Sequence, residues 1–143
     1  MRAFQAIIGL ALLLLTAGGA AGAGEIAADD RQAIRSIIEA QLAAFRAEDG
    51  ARAFSYAAPR IKAKFRSSEI FMRMVKNGYP AIYASRKASF IETVVHGEAV
   101  LQKVVVIGAD GLPATALYEM QKQPDGTWLI NGCALLRNAE AGA

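Results

Sequence analysis

The fold is decided by residues 87–135, which read KASFIETVVHGEAVLQKVVVIGADGLPATALYEMQKQPDGTWLINGCAL. β-branched residues dominate this stretch and short turn sequences interrupt it at regular intervals, which predicts strands joined by hairpins. We expect strands over residues 87–95, 99–107, 114–123 and 127–135. Because such short connections make neighbouring strands antiparallel, the sequence predicts a four-stranded meander.

The two faces of this sheet follow if each hairpin pairs symmetrically about its turn, so that residue 92 faces 102, 102 faces 119 and 119 faces 131. One face is then polar and aliphatic, and we expect it to point outward: Glu92, Gln102, Glu119 and Asn131 with Val100, Val104, Leu117 and Leu129. The other face is bulkier and should meet the helices: Ile91, Lys103, Val105, Ala116, Tyr118, Met120, Trp128 and Ile130. A slip of one residue at a turn would exchange the two faces of a strand.

A long amphipathic helix is predicted before the sheet. Its apolar residues recur three and four positions apart, as on one face of a helix: Ile34, Ile37, Ile38, Leu42 and Phe45. Asp29 or Asp30 is a suitable N-cap, and Gly50 can adopt the left-handed conformation that often ends a helix.

Shorter helices are expected between this helix and the sheet. We predict one over residues 51–58 and another over residues 67–78, each bounded by residues that break or cap helices. Residues 60–66 fit both helical and strand periodicity, and we interpret them as a short helix. An irregular link is expected over residues 79–83. The chain therefore belongs to the α+β class, with N-terminal helices packed on a curved four-stranded antiparallel meander.

The first 23 residues are predicted to be a cleavable secretory signal peptide. Met1 and Arg2 precede an apolar run over residues 6–15, and small residues ending in Ala-Gly-Ala at 21–23 follow it. The apolar run is about half of the roughly 20 residues that a membrane span needs. We therefore expect cleavage after Ala23, export to the periplasm or the medium, and no membrane anchor in the mature chain.

Residues 24–143 are expected to form one domain with its core over about residues 31–136. The leader holds one of the 16 basic residues, so 15 remain against 13 acidic residues, a balance that does not indicate a nucleic-acid partner. The chain has one cysteine and one histidine, too few for a common zinc or copper site. We expect no metal and no cofactor, a buried Cys133 and an exposed His96.

Three segments resemble a bacterial exported-protein family, domain of unknown function 4864: FMRMVKNGYPAIY at 71–83, VVVIGADG at 104–111 and ALYEMQKQPDGTWLINGC at 116–133. The resemblance covers roughly Arg31 to Leu136. Helices that lead into a curved meander are also similar to the nuclear transport factor 2-like superfamily, which includes ketosteroid isomerase. These resemblances imply a cone-shaped domain and leave the activity open.

Carboxylates and tyrosines are the candidate catalytic groups, because enzymes of that superfamily place a carboxylate base and a tyrosine or acid donor inside the cone. The strand carboxylates here are Glu92 and Glu119, and the predicted register points both of them outward. No catalytic residue is therefore assigned. Residues 60–66 carry four positive charges. They could hold an acidic ligand, although a solvated face is favoured.

The sequence favours a binding domain over an enzyme. A small apolar or amphipathic molecule is expected between the helices and the aromatic sheet face, with four side chains near its wall: Tyr79, Tyr83, Tyr118 and Trp128. Two alternatives stay open. One is an isomerase, dehydratase or hydrolase that uses a glutamate and a tyrosine, and the other is a protein-interaction module with a filled core. An inward carboxylate would favour the enzyme, and the lack of a cavity would favour the module.

A homodimer through the sheet is also expected. On the predicted register the outer face is more apolar than a solvated face should be, because it carries Val100, Val104, Val106, Leu117 and Leu129. Self-complementary contacts of this kind commonly form dimers with two-fold symmetry.

Overall fold

The computed structural model describes residues 25–136, so the predicted signal peptide over residues 1–23 lies outside the described residues. Within them the helices are α1 (Ala28–Arg46), α2 (Gly50–Ser55), α3 (Pro59–Phe65), α4 (Ser68–Gly78) and α5 (Pro80–Tyr83). The strands are β1 (Lys87–His96), β2 (Ala99–Ile107), β3 (Pro113–Lys122) and β4 (Trp128–Leu136). The α+β class and the meander are confirmed, since neighbouring strands pair antiparallel in the order β1-β2-β3-β4.

Four of the five residues of the predicted apolar face of α1 are buried in the core: Ile34, Ile38, Leu42 and Phe45. Ile37 is partly buried, and Ala44, which was not predicted, is buried as well. The predicted ends differ from the observed ones. The helix begins at Ala28, before either aspartate, and none of the described side chains caps it. At the other end Glu48, not Gly50, adopts the left-handed conformation, with a φ of 53°. Gly50 instead begins α2, where a Cβ would lie 2.9 Å from Met72 Cγ, so α2 can pack closely on α4.

The two helices that follow α2 begin and end close to the predicted positions. The short helix predicted over residues 60–66 is confirmed as α3, and Pro59 occupies its first turn, where its missing N–H is not needed. Ser67 caps α4 by accepting a hydrogen bond from the backbone N–H of Ile70 at 3.2 Å. The irregular link predicted over residues 79–83 is wrong, because Pro80 begins the short helix α5.

Phe71 on α4 joins the helices of the domain. Its ring centroid lies 6.0 Å from that of Phe45 on α1, 5.2 Å from that of Phe54 on α2 and 5.9 Å from that of Phe65 on α3. Tilted and edge-on aromatic pairs at these distances stabilise the fold beyond the effect of the area that they bury.

None of the helices among residues 25–136 has the length and hydrophobicity to cross a membrane.

The chain after α2 covers the β4 edge of the sheet. The Ile130 N–H donates to the Tyr56 carbonyl at 2.9 Å, and the Ala58 N–H donates to the Ile130 carbonyl at 2.8 Å. This pairing draws residues 56–58 into extended structure, which ends α2 before the predicted residue 58. An exposed strand edge would be open to pairing with other chains, and the bridge blocks this at Ile130.

The predicted pairs 92–102, 102–119 and 119–131 are each wrong by one residue. Gln102 pairs with Thr93 and Tyr118, because the first hairpin turns through two residues and the second through five, from Gly108 to Leu112. In the third hairpin the predicted register holds from the turn as far as the pair Met120–Ile130. A bulge then leaves Asn131 unpaired and sets Glu119 opposite Gly132.

The register decides which side chains face the helices. The predicted inner residues of β3 and β4 are buried, as expected: Ala116, Tyr118, Met120, Trp128 and Ile130. On β2 the prediction is inverted, and the buried residues are Val100, Gln102, Val104 and Val106. A bulge in β1 leaves Ile91 55% exposed beside Glu92. The three valines expected at an outer dimer face are therefore inside the domain.

Candidate functional site

A half-open cavity of about 480 Å³ lies between the helices and the inner face of β3 and β4. This volume is typical of small-molecule sites. The floor consists of buried residues, among them Phe45 of α1, Val75 of α4 and Tyr118 of β3. The rim is exposed and includes Arg60 and Lys64 of α3. The cavity therefore changes from an apolar floor to a charged rim.

Local sequence patterns explain how the floor is built. Gln41 and Phe45 are four residues apart on α1, and Phe71 and Val75 are four residues apart on α4, so each pair shares one helical face. Tyr118 and Cys133 are directly opposite each other on β3 and β4, which puts both side chains on the inner face. All six residues of this paragraph line the cavity.

The hydroxyl of Tyr118 is the polar group that sets this cavity apart. Tyr118 is only 1% exposed, and its hydroxyl has no hydrogen-bond partner among the described residues. A buried hydroxyl without a partner costs about 1–3 kcal/mol. The side chain also lines the cavity, so an oxygen of a bound molecule could remove this cost.

Cys133 stands beside this hydroxyl and is likewise held neutral. Burial raises the pKa of the Cys133 thiol to about 12. Burial also raises the pKa of Tyr118 well above its ordinary value, and the neighbouring thiol adds a smaller upward contribution without satisfying hydrogen-bond geometry. Cys133 as a whole residue is half-buried, and it lines the cavity. Near neutral pH this wall therefore presents two protonated, uncharged groups.

Gln41 adds an amide to the floor. It is 4% exposed, and its Nε2 donates to the Ala53 carbonyl at 3.1 Å, which fixes the side chain. Its Oε1 accepts no hydrogen bond from the described residues. The sequence prediction missed Gln41, although a polar residue inside the apolar stripe of α1 was a signal that could have found it.

The rim carries a network of hydrogen bonds centred on Arg60. Its guanidinium donates to the Asn131 carbonyl at 2.7 Å and to Asn131 Oδ1 at 3.3 Å, and it lies 3.7 Å from Glu119 Oε2. Asn131 Nδ2 in turn donates to Glu119 Oε2 at 3.1 Å. The unpaired position of Asn131 in the bulge leaves its backbone carbonyl free for Arg60. We call this set of three residues the Arg60 clasp.

The four predicted wall residues separate into two groups. Tyr79 and Tyr118 line the cavity, whereas Tyr83 and Trp128 lie elsewhere. The Tyr83 hydroxyl donates to Glu48 Oε1 at 3.3 Å, and its ring packs against Phe45 with centroids 6.1 Å apart. The Trp128 indole N–H donates to Asp30 Oδ1 at 3.0 Å, which joins the start of α1 to β4.

The two candidate carboxylates do not line this cavity. Glu92 is exposed, and Glu119 is part of the Arg60 clasp. No aspartate or glutamate lines the cavity within residues 25–136. In the same part of the chain, no group of three histidine, cysteine, aspartate or glutamate residues lies close enough together to hold a metal ion. His96 is exposed, as expected.

A second cavity of the same volume lies between α1 and β1, but its buried polar group is already satisfied. The Gln102 side chain accepts from the Thr93 hydroxyl at 2.6 Å and donates to the Glu92 and Lys103 carbonyls, both at 3.0 Å. Since Tyr118, whose buried hydroxyl has no partner among the described residues, lines the first cavity, we consider the first cavity the candidate site.

Comparison with known proteins gives one match. The family model described as Domain of unknown function (DUF4864) matches residues 27–143, which include every helix and strand described above. No curated protein matches the chain, and no solved structure does. The description of the family names neither a ligand nor a reaction, and the cavity is the feature of the chain that bears on function.

Proposed function

We propose that this chain, which belongs to the family described as Domain of unknown function (DUF4864), binds a small apolar or amphipathic molecule in its cavity. The observation that carries the proposal is the Tyr118 hydroxyl, which is buried without a partner in the cavity wall. Evolution tolerates such a cost mainly where function requires it, because a core phenylalanine would avoid it.

The chemistry of the floor limits what can bind there. Tyr118 and Cys133 keep their protons near neutral pH, so each can donate a hydrogen bond to an acceptor atom of the ligand. An ionised group would lose its hydration against an apolar surface that offers it no charge. A carbonyl, ether or hydroxyl oxygen on an apolar body fits these requirements best.

The alternatives have less support. An isomerase or hydrolase of the expected kind needs a carboxylate base in the cavity. Neither candidate lines it, and Glu119 is held at the rim by Arg60 and Asn131. An interaction module with a filled core does not need a cavity of about 480 Å³. The helices on one face of an open meander, together with bulges that bend β1 and β4, support the proposal of a nuclear transport factor 2-like cone.

Export and dimerisation remain proposals. Export rests on the leader pattern of residues 1–23. For a homodimer through the sheet, the support now comes from Leu117 and Leu129 of the predicted set and from Val94, which is 44% exposed.

The binding proposal is tested with decanol as the probe and with Met74 as the reporter. Met74 lines the cavity, whereas Met72, two residues away, does not, so methyl NMR of the two residues distinguishes cavity binding from surface binding. We expect decanol to shift the Met74 signal and to raise the melting temperature. Trp128 is a poor reporter because it lies outside the lining.

Tyr118→Phe is the matched variant, since it removes one oxygen and keeps the ring. Without ligand it should be more stable than the parent by about 1–3 kcal/mol, because no buried hydroxyl remains unsatisfied. Its affinity for 5-decanone, which carries an oxygen within the chain, should fall. A variant that is both less stable and equally good at binding would contradict the proposed role of the hydroxyl. If neither decanol nor a molecule that co-purifies from the source perturbs Met74, the interaction module becomes the better proposal.

A further inference from the structure

We infer that the natural ligand is an anionic amphipath, a carboxylate whose head group pairs with Lys64 at the rim while its apolar body occupies the floor. This inference rests on the proposed function and adds the charge and the orientation of the ligand. The charged residues among those that line the cavity are Arg60 and Lys64. Both are cationic, both are exposed and both belong to α3.

The two cations are not equally available. The Arg60 guanidinium is engaged by Asn131 and Glu119 in the Arg60 clasp. Lys64 forms no ion pair with any acid in the described part of the chain. Its Nζ lies 5.4 Å from the ring centroid of Phe65, which itself lines the cavity. Lys64 is therefore a free positive charge held next to apolar surface.

The surroundings of Lys64 strengthen its field. Residues 60–66 contain Arg60, Lys62, Lys64 and Arg66, and Glu119 is the acid that pairs with one of them within residues 25–136. Like charges gathered on one short helix produce a positive potential, and a cleft with apolar walls focuses it. This field attracts anions to the rim and repels cationic amphipaths.

Rim and floor together fix the orientation of the ligand. A carboxylate at the rim keeps part of its hydration and meets Lys64, whereas at the floor it would meet only neutral groups. The hydrocarbon body gains from burial against Phe45, Val75 and Ile130. An oxygen farther along the body could reach the Tyr118 hydroxyl. The ligand should therefore lie with its head outward.

The test compares decanoic acid, decanol and decylamine, which share a chain length and differ in head-group charge. We expect the acid to bind about two- to five-fold more tightly than the alcohol, as for a partly exposed ion pair. The amine should bind more weakly than the alcohol. Added salt should reduce the difference between acid and alcohol, since exposed charges are screened.

Lys64→Gln should lower the affinity for the acid to that for the alcohol and leave the alcohol unaffected. Lys62→Gln is the matched control, because it removes the same charge from the same helix at a residue that does not line the cavity. It should have a smaller effect on the acid. Equal losses of affinity for the acid in the two variants would overturn the role of Lys64 and leave only the general positive potential of α3.

Other outcomes separate this inference from the function on which it rests. If acid and alcohol bind equally well and both shift Met74, the anionic head group is wrong and the binding function stands. If none of the three binds, both proposals fail. A third outcome is that the protein binds phosphatidylglycerol vesicles without a shift of the Met74 signal. In this case both lysine variants would weaken vesicle binding equally, and Tyr118→Phe would leave it unchanged. That would assign the basic helix to a membrane surface and overturn the inference.

Discussion

The cavity has two walls that are held in place in different ways. The first, which we call the fixed wall, consists of α1 and the inner faces of β3 and β4, and residues such as Ile38 and Tyr118 are almost fully buried in it. The second is α3, in which none of the described residues is buried. It is attached through the Arg60 clasp and through Ile61 and Phe65, which are partly buried against the core. Phe65 packs edge-on against Phe71. The fixed wall therefore depends on the folding of the whole domain, whereas α3 depends on a few exposed or half-buried contacts.

Because of this difference, we expect α3 to open away from the cavity more easily than the fixed wall does. Segments with few buried contacts open at low free energy while the rest of a domain stays folded. The ends of α3 are also well defined, by Pro59 in its first turn and by Arg66, whose φ of 66° is unusual for a residue with a side chain. A ligand could thus enter beside α3 without disturbing the groups that recognise it on the fixed wall.

The largest expected change in the free energy of unfolding comes from making the same substitution, isoleucine to alanine, in each of the two walls. Ile38→Ala should lower the free energy of unfolding by about 2–5 kcal/mol, because Ile38 is 0% exposed and the change leaves a cavity in the core. Ile61→Ala on α3 should cost about 1 kcal/mol, since Ile61 is only partly buried. Urea denaturation measures both. Similar losses for the two variants would mean that α3 is as integral to the fold as α1.

The sequence predicted the elements of both walls better than their register. Alternation of β-branched residues was enough to place each strand within about a residue at its ends. It could not show that the turn after His96 has two residues, nor that bulges occur at Ile91 and Asn131. Those features depend on contacts between distant segments, such as the guanidinium of Arg60 on the carbonyl of Asn131.

The site was predictable to the extent that it depends on local pattern. The aromatic face of β3 and β4 correctly suggested that Tyr118 faces inward, and Tyr79 also lines the cavity. Trp128 has the same pattern, but its indole bonds to Asp30, which is 98 residues away in the chain. Gln102 was expected outside and lies inside, because a one-residue shift in pairing moves a side chain to the other face.

A second prediction concerns the fixed wall alone, through its protonated groups. The pKa of the Cys133 thiol rises from 9.0 to about 12 on folding, so below pH 9 both states keep the proton and stability is unaffected. Above pH 9 the unfolded thiol ionises while the folded one does not, and stability should fall by up to about 1.4 kcal/mol per pH unit. Tyr118, whose pKa is also raised, adds to the loss above its ordinary value of 10.0.

Urea denaturation across this alkaline range checks the prediction with two variants. Cys133→Ala should reduce the loss of stability between pH 9 and 10, where Tyr118 does not yet contribute. Ile61→Ala, a change on α3, should leave the slope of stability against pH unaltered. If the parent keeps its full stability well above pH 9, the Cys133 thiol is more accessible to water than its position in the fixed wall implies.

The smallest effect is expected for the Arg60 clasp, and it bears most directly on the movement of α3. Arg60→Ala should lower the global free energy of unfolding by about 1 kcal/mol or less, because the Arg60 side chain is 66% exposed and such pairs contribute little. Locally a loss of this size should be easy to detect, since the clasp is one of the few attachments of α3. Amide exchange in α3, including the Arg66 N–H that donates to the Lys62 carbonyl at 2.8 Å, should accelerate about five-fold, while α1 stays protected. Lys62→Ala removes a charge from the same helix without touching the clasp, and it should leave this exchange unchanged. Equal acceleration in both variants would show that helix propensity, and not attachment to β4, controls the opening of α3.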